Sequence, residues 1–174
     1  MKKELFVVES QDTWHFFKSR KYCGSTYREK IPSKFKIRRP KAVRQLAEKI
    51  LSIAGHHVCI DRGAKSLAGL VLTDGKLFKN YHITVWKKEQ HRCHANSAIT
   101  WHNYPDRYSL VNGFCFVQGT WAPHSWLIRN GEKKIVDTIC KCDKYFGVIL
   151  KPELAQLFYR YNVGENKNKH RNKK

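Results

Sequence analysis

Acidic residues are scarce in this chain of 174 residues. Asp and Glu number 14 against 34 Lys and Arg, a formal net charge of +20. Such a surplus repels itself, and an enzyme of small neutral molecules has no use for it. It suits a polyanionic partner, nucleic acid or an acidic protein. Long apolar runs are also missing. No stretch approaches the ~18 residues of a transmembrane helix, which excludes a membrane-spanning helix; a membrane surface could attract the charge, but no membrane partner is expected. The first apolar run, Leu5-Phe6-Val7-Val8, is shorter than the ~7–15 residues of a signal-peptide core. The expected location is therefore a cytoplasm, that of a cell or of the host of a virus-encoded chain. No internal repeat, zinc-finger, RNP-type or helix-turn-helix signature is found. What is abundant is apolar and aromatic content, 41% and 13%, enough for a packed core.

Six cysteines occur, Cys23, Cys59, Cys93, Cys115, Cys140 and Cys142. Cytosolic thiols stay reduced, so each is a core residue, a metal ligand or a nucleophile rather than half of a staple.

Local patterns predict an α+β chain. Residues 4–8 suggest a strand, and 12–19 a short helix after the cap Ser10-Gln11-Asp12. Residues 20–39 are basic and irregular. Pro40 and Gly55 bracket a helix over 41–54, in which Val43, Leu46, Ala47, Ile50, Leu51 and Ala54 form one apolar face. Strands are expected at 56–60, 67–72 and 77–86, the last two joined as a hairpin through Thr73-Asp74-Gly75-Lys76. A charged linker, 87–92, leads to a helix over 93–102 that Asn103-Tyr104-Pro105-Asp106 ends. Strands follow at 108–118, 124–129 and 134–139, the last two turning at Asn130-Gly131. Another strand covers 145–150, and a helix runs from Pro152 to about Tyr161. The expected organisation is a basic N-terminal extension (1–90, helices and a hairpin) packed on a core (91–162), then a disordered Lys/Asn-rich tail (163–174).

The chemistry concentrates in 93–139. Cys93 opens a helix, whose dipole and free N–H groups stabilise a thiolate. His124 lies near the start of one strand and Asp137 near the end of the next. Adjacent antiparallel strands lie ~4.8 Å apart, so cross-strand side chains meet. An imidazole beside the thiol takes its proton and later protonates a leaving group. A carboxylate behind the imidazole fixes its tautomer. Glu132 is too near the turn to substitute for Asp137.

The segments Cys93-His94-Ala95-Asn96-Ser97-Ala98, Ser109-Leu110-Val111-Asn112-Gly113-Phe114-Cys115-Phe116-Val117-Gln118, Pro123-His124-Ser125-Trp126-Leu127 and Lys134-Ile135-Val136-Asp137-Thr138-Ile139 together resemble the core of the transglutaminase-like and papain-like cysteine hydrolases, including the NlpC/P60-type peptidases. The resemblance covers about 50 residues. It implies a papain-like fold with a Cys-bearing helix packed on an antiparallel sheet. It also implies amide or thioester cleavage or acyl transfer through a thioester, by Cys93 as nucleophile, His124 as base and Asp137 as orienting acid. No cofactor is implied. The oxyanion donor is not given by the pattern; Gln90 and the Cys93 N–H are candidates. His94 and Asn96, in the same first turn, are candidates for touching substrate. Trp126 shares a strand face with His124 and is expected to pack in the core. Trp121, in the preceding loop, is the better candidate for walling a cleft.

Two other chemistries compete. His91, Cys93, His94, Cys140 and Cys142 could ligate zinc, but Cys140-Lys141-Cys142 has a one-residue gap and Cys93-His94 none, which is poor ligand spacing. Packing near a strand end is the simpler role for Cys140 and Cys142, so no metal is expected. Segment 18–44 carries Lys18, Arg20, Lys21, Arg28, Lys30, Lys34, Lys36, Arg38, Arg39, Lys41 and Arg44, interleaved with aromatics. That pattern suits phosphate contacts and stacking without sequence reading. The expected function is thus a thiol hydrolase or acyltransferase, with a nucleic-acid-associated substrate as one form. The alternative is a non-enzymatic nucleic-acid-binding protein that retains the fold.

Overall fold

The structure is a computed structural model and describes residues 4–6, 41–59, 65–90 and 92–164. The expected helix at 12–19, most of the basic segment 18–44 and the tail from 165 lie outside the described residues. Of the basic cluster, Lys41 and Arg44 are described, both exposed on the solvent side of the first helix.

That helix, α1 (Lys41–Ile53), buries Val43, Leu46, Ala47, Ile50 and Leu51, the face that the three- and four-residue spacing predicts. Strand β1 (Glu4–Phe6) runs parallel to β2 (His57–Cys59). Helix α2 (Lys65–Asp74) follows, then the short strands β3 (Lys76–Leu77) and β4 (His82–Val85). The hairpin expected across 67–86 does not form. Its first strand is part of α2, and β3 and β4 pair with β8 and β7 rather than with α2's segment or each other. An apolar run of six residues suits a buried strand and a buried helix alike. Tertiary packing decides: Ala68 and Val71, three apart, enter the core, and Gly75 N–H closes the helix on the Val71 carbonyl at 3.1 Å.

Helix α3 (Cys93–Asn103) leads into β5 (Tyr108–Val117) and β6 (Thr120–Arg129). These two strands pair along their whole length, Tyr108 with Arg129 and Val117 with Thr120. The turn is only two residues, Gln118 and Gly119, at φ 48° and 84°. Positive φ at both positions matches the twist of a tight hairpin and favours Gly at the second. The loop expected at 119–123 is therefore mostly strand. Strand β7 (Lys134–Asp137) returns after Asn130-Gly131, as expected, and β8 (Lys144–Ile149) lies on the far side of β5. Helix α4 (Pro152–Tyr159) ends in a π-helical turn, Arg160–Gly164.

The sheet order is β1-β2-β6-β5-β8-β3, with β7 on β6 and β4 on β7. It is mixed and mostly antiparallel, a correction to the antiparallel sheet expected: β1–β2, β2–β6 and β4–β7 are parallel. Strands from 1–90 are thus built into the same sheet as the core segment. Helices α1 to α4 cover one face with Trp101, Leu110, Phe114, Trp121, Leu127 and Phe146. The other face carries a smaller cluster of Phe78, Val111, Trp126, Ile135 and Tyr145.

One edge of β6 takes β5 throughout. The other takes β2 at Thr120–Trp121 and β7 at Leu127–Ile128. Between these partners, among the described residues, lies His124. Opposite it Gly113 faces Gly147 across β5 and β8. A Cβ on Gly113 would strike the Phe146 carbonyl and Gly147 Cα, and one on Gly147 would come within 2.6 Å of the Asn112 carbonyl and 2.8 Å of Trp126 Cη2. Gly147 leaves room for the Trp126 ring that packs on His124, and Gly113 for the close approach of the β8 backbone. Gly147→Ala is expected to cost about 1–3 kcal/mol through overpacking. Denaturant unfolding would show it as a lower midpoint at unchanged slope; an unshifted midpoint would mean that both the Asn112 carbonyl and the indole can give way.

Candidate active site

Strand alternation puts His124, Trp126, Asp137, Tyr145 and Cys115 on the face away from the helices. Asp137 is fully buried. Its Oδ2 accepts from His124 Nε2–H at 2.7 Å and from the Tyr145 hydroxyl at 3.0 Å. Its Oδ1 accepts from the N–H groups of Ile139 at 2.9 Å and Cys140 at 3.2 Å. A carboxylate only accepts, so the proton between Asp137 and His124 sits on Nε2. That leaves Nδ1 for the other side; Cys93 is among the groups that act on the imidazole. Trp126 stacks on the ring, centroids 6.2 Å apart and planes 18° apart.

Burial opposes the charge on both partners, and their mutual attraction overrides it. Burial acts to lower His124, but Asp137 and Cys93 hold the imidazole well above its usual range. Burial acts to raise Asp137, but His124, the backbone N–H groups and Tyr145 hold the carboxyl below its usual range. The pair is therefore built to exist as imidazolium and carboxylate.

Segment 86–90 delivers Cys93 to this pair. It continues the parallel β4–β7 pairing, with Trp86 N–H on the Asp137 carbonyl at 2.8 Å and Lys88 N–H on the Thr138 carbonyl at 3.0 Å. It is tied to α3 by Lys88 Nζ donating to Thr100 Oγ1 at 2.6 Å and Asn96 Nδ2 donating to the Glu89 carbonyl at 2.7 Å. The charged linker is thus pinned on both sides. Cys93 is half-buried at the first position of α3, and no side chain caps that helix end.

The remaining candidates separate. Gln90 is exposed in the turn before α3. Asn96 is buried and spent on Glu89. His94 turns to the helix side of β6, where its Nδ1 meets Ser125 Oγ at 2.7 Å and its ring packs edge-on against Phe158. Trp121 is not a cleft wall: it is wholly buried on β6, and its Nε1–H donates to the Ala54 carbonyl at 2.8 Å. Trp126 is wholly buried as well, and it also packs on His124.

A thiol cluster lies beside the imidazole, which sequence reasoning missed because Cys115 and Cys142 come together only through β5, β8 and the loop between β7 and β8. The ligand atoms of Cys115, His124 and Cys142 fall within 4.8 Å of one another, and Cys140 Sγ lies 3.8 Å from Cys142 Sγ. These residues have the donor types of a zinc site. Nε2 is already engaged by Asp137, so an ion there would have to take Nδ1 or displace the carboxylate. Hydrogen bonding to Cys142 and burial push the Cys140 thiol up. Hydrogen bonding to Cys115 and burial push Cys142 up. Burial raises Cys115 against the hydrogen bond from Cys142. All three are held as neutral, weakly nucleophilic thiols. No disulfide joins the described cysteines. His91 lies outside the described residues, and Cys93 and His94 diverge, so the five-residue zinc set does not assemble among them.

The chain matches no protein-family model, and no curated protein or solved structure is significantly similar to it.

Asp137→Asn is expected to destabilise the fold by about 3–5 kcal/mol at pH 6, because it leaves a buried imidazolium without its anion. The pH dependence follows from the two directions. Asp137, lowered on folding, stabilises fully above its unfolded value of ~3.9, and this is lost as pH falls through its native value. His124, raised on folding, stabilises fully below ~6.5, and this is lost as pH rises through its native value. Wild-type stability should therefore hold a plateau between these limits and fall on both sides. Urea unfolding from pH 3 to 9 checks it: the variant should lack most of both slopes, and parallel wild-type and variant curves would refute the pairing.

Proposed function

We propose that the protein is a cysteine-dependent hydrolase or acyltransferase, of papain-like type, acting on an amide or thioester. One observation carries this reading. A buried imidazole is held by a carboxylate on Nε2, and the half-buried thiol of Cys93, at the start of a helix, is among the groups acting on it. A structural cysteine and a core histidine do not need each other, nor a carboxylate behind them.

The roles follow from the chemistry. In the reactive form the Cys93 proton is held on His124, and this imidazolium is stabilised by Asp137. The thiolate attacks the carbonyl carbon, and the developing oxyanion is met by first-turn N–H groups of α3, among them that of Cys93. One such donor is worth roughly 3 kcal/mol in the transition state. Collapse breaks the carbon–leaving-group bond, and the imidazolium proton goes to the departing amine or thiolate. The acyl group, now a thioester on Cys93, is released by water or by an amine that His124 deprotonates.

Iodoacetamide titration across pH 5 to 9 tests the couple. Cys93 should label preferentially near neutral pH, ahead of Cys115, Cys140 and Cys142, and His124→Ala should slow it by at least about tenfold. Labelling spread over several cysteines and indifferent to His124 would sink the reading.

The charge of +20 favours a substrate carried by a polyanion, with nucleic acid the first choice. If so, affinity for a single-stranded oligonucleotide should fall steeply with salt, with a log–log slope of about −0.7 per phosphate contacted. A flat salt response would leave the charge as a solubilising surface.

A further inference from the structure

Residues next to the Cys93–His124 pair form a second network on the opposite side of β6. Cys93 and His94 are consecutive at the start of α3, and His124 and Ser125 are consecutive on β6. Consecutive strand residues point to opposite faces. While His124 points to one face, His94 Nδ1 meets Ser125 Oγ at 2.7 Å on the other. Ser125 Oγ donates to Asn112 Oδ1 at 2.9 Å. Its one proton is then spent, so it accepts from His94 Nδ1–H. Asn112 is its register partner on β5. One turn along α3, Ser97 Oγ donates to the Ser125 carbonyl at 2.9 Å. Ser97, Asn112 and Ser125 are all buried.

Packing alone would be served by alanine or valine at these positions. Burying hydroxyls and an amide is costly unless each is satisfied, and a satisfied network admits few geometries. Resting on the triad reading, we infer that His94 and Ser125 are positioning residues: a clamp behind β6 that sets the distance and rotation of the Cys93 end of α3 relative to His124. Cys93 and His124 come from elements that share no backbone hydrogen bonds in this region, so the clamp supplies the registration that sheet pairing supplies for His124 and Asp137.

The test reads the imidazole directly. His124 is faced by Cys93, Asp137, Tyr145, Cys115, Cys140 and Cys142; of these, the clamp controls Cys93. NMR titration of the His124 ring would be compared in the wild type, Cys93→Ala, His94→Ala and His94→Asn, each shown folded by its melting transition. Asn places an amide N–H near the position of Nδ1 and serves as the conservative rescue. Cys93→Ala should lower the His124 midpoint, since it removes a group that raises it. His94→Ala should move the midpoint toward that of Cys93→Ala and slow Cys93 labelling at neutral pH by about ten- to a hundredfold. His94→Asn should stay near the wild type in both. A His94→Ala protein that melts earlier but keeps the wild-type midpoint and labelling would overturn the clamp and leave the triad standing. If Cys93→Ala itself leaves the midpoint unmoved, there is no couple to position, and both readings fall.

Discussion

The hydrogen bond between His124 Nε2 and Asp137 Oδ2, 2.7 Å long and closed to water, is the interaction around which the rest of the site is arranged. A buried imidazolium and a buried carboxylate each cost several kcal/mol alone and are tolerated only together. Their meeting needs β6 and β7 to be neighbours in one register, which the Asn130-Gly131 hairpin provides. It also needs the spare lone pairs of the carboxylate to be filled. The backbone of Ile139 and Cys140 and the Tyr145 hydroxyl do this, so the irregular loop after β7 follows the shape of the Asp137 side chain.

Strand β6 organises everything else. Its ten residues are covered on one edge by β5 and on the other by β2 and β7, with His124 between the last two. Helix α3 docks at that same stretch, on the Ser125 hydroxyl and carbonyl. The β4–β7 pairing and segment 86–90 bring the chain from the strand of Asp137 to the start of α3 in a few residues. Three elements meet at β6 by different means: β7, which carries Asp137, by sheet pairing, α3 by the hydrogen bonds of His94 and Ser97 to Ser125, and His124 as part of the strand itself.

The neutral thiols of Cys115, Cys140 and Cys142 sharpen the contrast with Cys93. They share the pocket of the imidazole, yet hydrogen bonds at Cys140 and Cys142, with burial at Cys115 and Cys142, push their thiols up, although Cys140 is itself exposed. A nucleophile needs a base within reach and an open approach. Among the described cysteines Cys93 is half-buried at the start of α3 and is one of the groups that act on His124.

The helix at 41–53, the Asn-Gly turn and the chain order Cys93, His124, Asp137 were legible in the sequence, because each is a local pattern: a 3.6-residue period, a turn dipeptide, a spacing. The helix at 65–74 was not, since a short apolar run fits either period and only the packing of Ala68 and Val71 chooses. The Gln118-Gly119 turn had its signal in the glycine, but a loop reading of 119–123 hid it and put Trp121 on the surface instead of under α1. The roles of His94, Asn96 and Ser125 were out of reach for a different reason. Their partners lie 31, 7 and 13 residues away, and a hydrogen bond leaves no periodic trace in a sequence. Composition and spacing determine which chemistry the chain is equipped for. Only the tertiary structure decides which polar side chains meet, because buried hydrogen bonds depend on ångström-scale distances that several elements set together.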